Sequence, residues 1–290
     1  MMKGLVWLRA DLRLEDNPAL KKACSSNDEV QAIYIFSKNQ LASHNEASVK
    51  IDFLVNNLFS IEKSLSEINI PLTILNTNGF DEDPKLIKDL CSKRNIDQVY
   101  WNKQFGEDES NRDAIVSELL KKNKIEVESF YDSVVYKPGL LTTGMGTPYT
   151  VFTPFKRKWI ENFEMDFLDI DFKYTKKLSS KIISNLNDFD FDLNKTHKVD
   201  MNLWSAGEKE AEVRLQNFLN DKAIDYSKNR NDPILDGTSR ISPYLASGII
   251  SPKKCILEAL KINNFEFSSG KVGITKWIDE IIWREFYKNI

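Results

Sequence analysis

Short apolar runs alternate with amphipathic stretches along the first 131 residues of the chain. The apolar runs predict strands at residues 5–8, 30–36, 72–76, 98–101 and 125–130, and the stretches between them predict helices at 18–25, 49–68, 84–94 and 107–122. Asn17 before Pro18 and Asp83 before Pro84 are typical of helix starts. The pattern predicts an α/β domain: a doubly wound, parallel five-stranded sheet with helices on both faces.

Among the charged residues that follow the first predicted strand are Arg9, Asp11, Arg13 and Asp16. Ligands of such sheets bind at the carboxyl ends of the strands, so a binding loop is expected here. No Gly-x-Gly-x-x-Gly motif follows the strand, which argues against a conventional NAD site. Because exposed charge runs usually have no binding role, we interpret these residues as a solvated cluster whose charges pair with one another.

The chain from residue 132 to residue 203 is its least regular part, and it contains several Pro and Gly turn signals. Residues 173–200 are rich in Lys, Ser, Asn and Asp, which predicts a long interdomain connection. Phe152, Phe155, Trp159 and Phe163 have the spacing of an apolar stripe on a short helix that begins near Pro154 and anchors the connector to a domain. We therefore divide the chain into residues 1–132, 133–203 and 204–290.

Helical signals dominate the last segment, where no strand pattern occurs. Ser205 and Glu208 form a capping box for a helix through about residue 219. Ser242 and Ser251 each precede a proline, which predicts that they open two further helices. The sequence GTSRIS at residues 237–242 would then gather three hydroxyls and an arginine at a helix start, where an anion such as a phosphate is favoured.

The sequence WIDEIIWREFY at residues 277–287 predicts a helix with two unequal faces. Its aliphatic residues and Phe286 share one side. The other side holds two indoles, a phenol, a carboxylate and a guanidinium within an arc of roughly 120°, from Trp277, Glu280, Trp283, Arg284 and Tyr287. Such a face suits a flat ligand with polar edges. A buried helix whose rings fill a core, with Glu280 paired to Arg284, is the alternative from this stretch alone.

Composition narrows the function classes. The formal net charge of −3 argues against a general polyanion binder, so any nucleic-acid contact must be a local patch. With only two histidines, a histidine-rich metal site is excluded and a Ser-His-Asp triad has little support, so no metal site is predicted. If the protein is an enzyme, a cofactor is expected to supply its chemistry.

Cysteine usage and hydropathy bear on the compartment. The three cysteines are far apart and form no CxxC pair, which predicts reduced thiols. The first residues lead directly into a strand, so no signal peptide is expected, and no apolar run is long enough to span a membrane. We expect a cytoplasmic monomer, in the bacterial cytosol or nucleoid, without membrane partners.

Four segments resemble the DNA photolyases of the photolyase/cryptochrome family, in that family's order and spacing. They are LVWLRADLRL at residues 5–14 with the following Asp16-Asn17, VFTPF at 151–155, GTSRIS at 237–242 and WREFY at 283–287. The resemblance is to the class I type, which acts on cyclobutane pyrimidine dimers. The close of the chain resembles only the start of the family's flavin-binding domain. Residues 204–290 are thus expected to be part of an all-α FAD-binding domain.

The resemblance implies a lyase of DNA repair, in which reduced FAD absorbs blue light and donates an electron to a pyrimidine dimer in UV-damaged DNA. The positions that it implies for FAD are Tyr226, Thr238, Ser239, Arg240, Ile241, Ser242, Trp277 and Arg284. Those that it implies for DNA and the lesion are Arg230, Glu280, Trp283 and Tyr287, with Glu280 and Trp283 as the catalytic pair. Trp283 offers a face for an unstacked base, and Glu280 can hydrogen-bond a pyrimidine edge.

In this family the α/β domain carries a light-harvesting antenna chromophore, commonly a reduced folate such as methenyltetrahydrofolate. The chain resembles the folate-binding members at His44 and Glu109, while Asp108 stands where an asparagine is expected. That departure leaves the identity of the antenna open. A role for His44 in a polar surface loop is an equal alternative.

Two other functions are compatible with the sequence. One is a cryptochrome-like photoreceptor, which has the same fold and binds flavin without repairing DNA. The other is an α/β nucleotide-binding protein with an appended helical module and no photochemistry. Because the last residues show no clear helix cap, we expect that the sequence is truncated, and that this fragment alone binds FAD weakly and repairs nothing.

Overall fold

The structure, a computed structural model, describes residues 1–168, 170, 172–191 and 198–289. The chain divides into two compact units. The first consists of Met1–Asp132 and Phe172–Glu208, and the second of Ser133–Asp171 and Lys209–Ile290. The segment predicted as a connector, residues 133–203, is therefore shared between the two units, and its residues 192–197 lie outside the described part.

A five-stranded parallel sheet forms the centre of the first unit, which confirms the predicted fold class. Its strands are β1 (Lys3–Leu8), β2 (Glu29–Ser37), β3 (Leu72–Thr77), β4 (Gln98–Asn102) and β5 (Glu126–Phe130). Their order is β3-β2-β1-β4-β5, so the chain changes direction across the sheet between β1 and β4. Crevices at such switch points are the usual ligand sites of open α/β sheets.

The helices of the first unit follow the apolar periodicity of the sequence. They are α1 (Pro18–Ser26), α2 (Lys38–Ser43), α3 (Ser48–Glu67), α4 (Asp83–Arg94) and α5 (Glu107–Lys122), of which only α2 was not predicted. Asn17 caps α1 as expected, since its side chain accepts a hydrogen bond from the Leu20 amide at 3.1 Å. Asp83 is instead the first residue of α4, and its buried carboxylate accepts a hydrogen bond from the Thr77 hydroxyl.

Most of the charged residues interpreted as a solvated cluster after β1 are buried, so that interpretation is wrong for them; Asp16 is half-buried. Arg9, Asp11 and Arg13 are 7, 1 and 2 % exposed. Arg13 pairs with Asp132, and Arg9 lies 2.6 Å from Asp113. Burial raises the pKa of Asp11, whose carboxylate accepts hydrogen bonds from the Arg9 amide and the Asn102 side chain. A charge can be buried in this way because a partner of opposite charge or a hydrogen bond compensates for its desolvation.

Residues 172–191 belong to the first unit and form no strand. The Asn185 side chain donates to the Ile74 carbonyl and accepts from the Ile74 amide, at 2.9 and 2.7 Å. It thereby pairs with the edge strand β3 as a neighbouring strand would. Phe189 and Phe191 pack on Phe36 of β2. The polar composition that predicts a linker here belongs to a segment that covers the sheet edge.

The second unit is helical. It contains α6 (Phe152–Glu161), most of α7 (Glu208–Asp221), α8 (Tyr226–Asn229), α9 (Ser242–Ala246), α10 (Pro252–Ile262) and α11 (Val272–Asn289). Helix α6 contains Phe152, Phe155 and Trp159 of the predicted apolar stripe, and the last two are buried, while Phe163 lies beyond the end of the helix. Ser251 caps α10 as predicted, whereas Ser242 is the first residue of α9 and Ile241 precedes it as the cap.

The Glu208 carboxylate bonds to the loop after β1, and not to Ser205 as the predicted capping box requires. It accepts hydrogen bonds from the amides of Leu14 and Glu15, at 3.0 and 2.7 Å, within the first unit. Burial raises the pKa of Glu208, and the two amides oppose that shift because they favour the ionised form.

Two features are absent from the described residues. Within them no helix combines the length and the apolarity that crossing a membrane requires. The same part of the chain contains no group of three or more His, Cys, Asp or Glu residues placed to hold a metal ion.

The Arg13–Asp132 pair provides a test of this fold. Replacing Asp132 with Ala should lower the free energy of unfolding by about 3–5 kcal/mol, because it removes the carboxylate that neutralises a buried guanidinium. Urea unfolding followed by circular dichroism measures the loss. The control is Glu118→Ala, which removes an exposed ion pair with Lys122 and should cost less than about 1 kcal/mol. Equal losses in the two variants would contradict the burial of the pair.

Candidate functional site

Helix α11 carries five of the predicted site residues, and packing divides them differently from the helical wheel. Trp277 is 2 % exposed and lies in the interior, not on an open ligand-facing wall. Glu280, Trp283 and Arg284 are half-buried, and Tyr287 is 68 % exposed. The exposed arc is therefore narrower than the sequence suggests, and it runs from Glu280 to Tyr287.

The loop at residues 237–242 lies beside α11. The indole N–H of Trp277 donates a hydrogen bond to the Ser239 hydroxyl at 3.2 Å. Thr238 and Ser242 are exposed, and Arg240 has a φ of +51° with its guanidinium 3.0 Å from Asp236. Gly237 packs on Asn229, where an added Cβ would lie 2.9 Å from the backbone oxygen. The close approach at Gly237 holds the loop in place, and its hydroxyls remain accessible to a ligand.

A series of aromatic contacts joins this part of the unit to Tyr226. The Tyr226 ring meets Phe218 of α7 edge-on at 5.7 Å, and Phe218 in turn contacts Trp277 at 5.3 Å. Phe218 is not among the site residues predicted from the sequence. It belongs to the apolar stripe of α7 with Ala211, Leu215 and Leu219, and that periodicity predicts burial without showing what lies against the ring.

Two residues with separately predicted roles, Arg230 and Glu280, pair with each other. The Arg230 guanidinium donates to the Glu280 carboxylate, and both side chains remain about one-third exposed. The same guanidinium lies 5.4 Å from the centre of the Tyr226 ring. The hydrogen bond from Arg230 to Glu280 raises the pKa of Arg230. The alternative pairing of Glu280 with Arg284 is wrong, because Arg284 donates to the carbonyls of Ser133 and Leu245, at 2.7 and 3.4 Å.

Two buried carboxylates on α11 were missed by the sequence analysis. Glu285 is 2 % exposed and accepts hydrogen bonds from the Val135 and Tyr136 amides and the Trp159 indole. Burial raises the pKa of Glu285, and these three donors oppose the shift. Asp279 forms an ion pair with Lys156 of α6 at 2.5 Å. A sequence pattern ranks both residues as surface charges, since their partners lie more than 100 residues away in the chain.

The predicted antenna residues lie in the first unit. His44 follows α2 and is exposed, with a ring nitrogen 2.7 Å from the Gln40 amide. Asp108 and Glu109 occupy the first turn of α5, and the Glu109 carboxylate folds back so closely over Gly106 that a side chain there would collide with it. These two helices follow β2 and β4, so all three residues belong to connections at the carboxyl edge of the sheet.

Comparison with known proteins bears on the whole chain. The family model of DNA photolyase matches residues 4–173. The deoxyribodipyrimidine photo-lyase of Vibrio cholerae is 31 % identical over 99 % of this chain and 61 % of its own length. That of Escherichia coli is 32 % identical over 100 % of this chain and 60 % of its own length. The chain thus spans about three-fifths of these curated relatives.

Solved structures agree with this result. A class III photolyase from Agrobacterium tumefaciens aligns with 100 % of this chain and 58 % of its own, with a TM-score of 0.81 and 26 % identity. A cryptochrome from Synechocystis aligns with a TM-score of 0.75 at 21 % identity, over 100 % of this chain and 61 % of its own, which supports the fold alone. Because the family model covers more than half of the sequence, the chain belongs to the DNA photolyase family.

Proposed function

We propose that the whole protein is a deoxyribodipyrimidine photo-lyase, which uses blue light to split cyclobutane pyrimidine dimers in DNA. The observation that carries the proposal is the hydrogen bond between Trp277 and Ser239. It joins the aromatic helix α11 to the hydroxyl-bearing loop, and the Arg230–Glu280 pair lies on the same helix. Family membership supplies the reaction class, and this convergence in the second unit supports a site there.

The residues near the loop fit the polar part of FAD. Thr238 and Ser242 present exposed hydroxyls, and the Arg240 guanidinium is 40 % exposed, so hydrogen-bond donors and a positive charge are available to phosphates and a ribose. Tyr226 and Ile241 are buried beneath this surface and would support it. Trp277 would hold Ser239 in place, and Arg284 would fix α11 through its bonds to backbone carbonyls.

The lesion would bind along the exposed arc of α11. Trp283 is half-buried and can stack with a pyrimidine that has left the duplex, while Glu280 can accept a hydrogen bond from the edge of that base. The Arg230 guanidinium beside Glu280 supplies a positive charge. Tyr287, at 68 % exposed, and Arg230 are placed to contact the flanking strand.

Reduced FAD, when bound, would supply the electron that light excites. The chain's own residues would hold the dimer and adapt its surroundings to negative charge. The Arg230–Glu280 pair would place a cation near that charge and a carboxylate that accepts a hydrogen bond from the edge of the base, and preorganised groups of this kind need little reorganisation during the reaction. Trp283 would exclude water from one face of the base by stacking. The cyclobutane bonds would then open within a fixed site.

Unit 1 would carry the antenna chromophore. His44 and Glu109 are accessible to a ligand at the carboxyl edge of the sheet, where ligands of doubly wound folds bind. A reduced folate such as methenyltetrahydrofolate has amide and amine N–H groups, from which a carboxylate can accept hydrogen bonds. Asp108 stands where an asparagine is expected in folate-binding members of the family. Its carboxylate would only accept hydrogen bonds, so the fit to a folate is weaker there.

The role of Glu280 predicts the effect of Glu280→Ala. The variant should repair at least about ten-fold fewer dimers per absorbed photon, since hydrogen bonds to charged groups contribute about 1.5–3 kcal/mol. Its flavin content should change less. The measurement is loss of dimers from an irradiated oligonucleotide in blue light, with bound flavin determined by absorbance of the whole protein.

The matched control is Glu258→Ala, which removes a partly buried carboxylate on α10 that pairs with Lys261. Its repair yield should equal that of the unsubstituted protein. Equal yields for Glu280→Ala would exclude the assigned role. A flavin-containing protein that removes no dimers in light would instead be a photoreceptor of the cryptochrome type.

A folate antenna predicts near-ultraviolet absorbance that depends on Glu109. Glu109→Ala should abolish the folate absorbance of the purified whole protein, because a charge-assisted hydrogen bond is lost at the ligand. Glu107→Ala, in the same helical turn and exposed, should leave the absorbance intact. Absorbance that survives Glu109→Ala would count against this assignment.

A further inference from the structure

Helix α6 begins at Phe152 within the segment VFTPF, which forms part of the resemblance but has no role in the site described above. The helix packs on α11 within the second unit. Its contacting residues are spaced i, i+3, i+4 and i+7 and so share one face: Phe152, Phe155, Lys156 and Trp159.

One hydrogen bond and one ion pair set the register of α6 on α11. Lys156 forms its ion pair with Asp279, the residue before Glu280, and the Trp159 indole donates to Glu285, the residue after Arg284, at 3.1 Å. These bonds require particular atoms to meet, whereas apolar packing alone tolerates sliding. The N-terminus of α6 is therefore held at a defined position along α11.

At that position the Phe152 ring stacks on the Trp283 indole. The two ring centres are 3.8 Å apart and the planes differ by 12°. Phe152 also meets Phe286 edge-on at 5.9 Å, and Phe286 is 3 % exposed. Phe152 is itself half-buried, and its contact with Phe286 anchors it beside the indole, while Trp283 stays half-exposed.

We infer that Phe152 is a positioning residue for the lesion site: it fixes the plane of the Trp283 indole so that a pyrimidine can stack on it. The inference rests on the proposed function, which assigns that stacking role to Trp283. Without Phe152 the indole would keep its contacts with Phe286 and Tyr287, whose ring centres lie 5.5 Å from its own, but would lose the 3.8 Å stack. It would then sample other rotamers, and binding a base would require ordering it. Phe152 supplies this order before the base arrives.

Affinity for a defined DNA probe tests the inference. The probe is a single-stranded oligonucleotide with one thymine dimer, and the same oligonucleotide without the dimer is the reference. Phe152→Leu keeps an apolar side chain against Phe286 but removes the flat ring. It should weaken binding to the dimer about five-fold, in the range expected for losing an aromatic pair. Phe152→Tyr should restore binding to within about two-fold.

A double-substitution cycle separates positioning from general packing. In a Trp283→Ala background, Phe152→Leu should have no further effect on dimer affinity, because the ring that it positions is gone. Thr153→Ala, at the exposed neighbouring position of α6, should leave the affinity unchanged. A five-fold loss that persists without Trp283, or a Phe152→Tyr variant as weak as Phe152→Leu, would overturn the inference.

A second measurement needs no DNA. The emission of Trp283 is obtained as the difference between the protein and its Trp283→Phe variant, and its quenching by acrylamide reports on access to the indole. Phe152→Leu should raise that quenching, and unchanged quenching would overturn the inference. If the unsubstituted protein shows no preference for the dimer, the proposed function fails, and the quenching result still decides whether Phe152 positions the indole.

Discussion

The burial of two carboxylates on helix α11 is the constraint on which the second unit depends. A desolvated carboxylate destabilises a fold unless donors surround it, so Glu285 requires the Val135 and Tyr136 amides and the Trp159 indole in fixed positions. Asp279 likewise requires Lys156. These requirements bring the segment after residue 132 and helix α6 onto α11. Apolar contacts such as Phe155 with Phe286 add stability to an arrangement whose register the polar bonds define.

The same physics operates in the first unit at the carboxyl end of β1. Arg13 and Asp132 neutralise each other in the interior, and Asn102 donates to both Asp11 and Asn17. This network joins the loop after β1 to the end of β4, where the sheet changes direction. Bonds within the protein satisfy these charges, and the residues that the antenna proposal needs lie elsewhere, in α5 and after α2.

Charges on α11 consequently divide into two groups. Asp279 and Glu285 are buried and hold the unit together, whereas Glu280 and its partner Arg230 remain about one-third exposed. An exposed pair can exchange its mutual contact for contacts to a ligand at small cost, while a buried pair cannot. This difference in solvation supports Glu280, and not its acidic neighbours, as the group that meets the lesion.

The sequence by itself determined the alternation of strands and helices, because burial on both faces of a parallel sheet leaves continuous apolar runs in β1, β2 and β4. It also determined the family, through short motifs, and the cap of α10 at Ser251, which depends only on local geometry. The tertiary structure alone decided that Arg9, Arg13 and Glu285 are interior residues, that Trp277 is buried, and that Arg230 rather than Arg284 meets Glu280. A charge or ring is buried or exposed according to partners that are distant in the chain, and periodicity reports only the near neighbours.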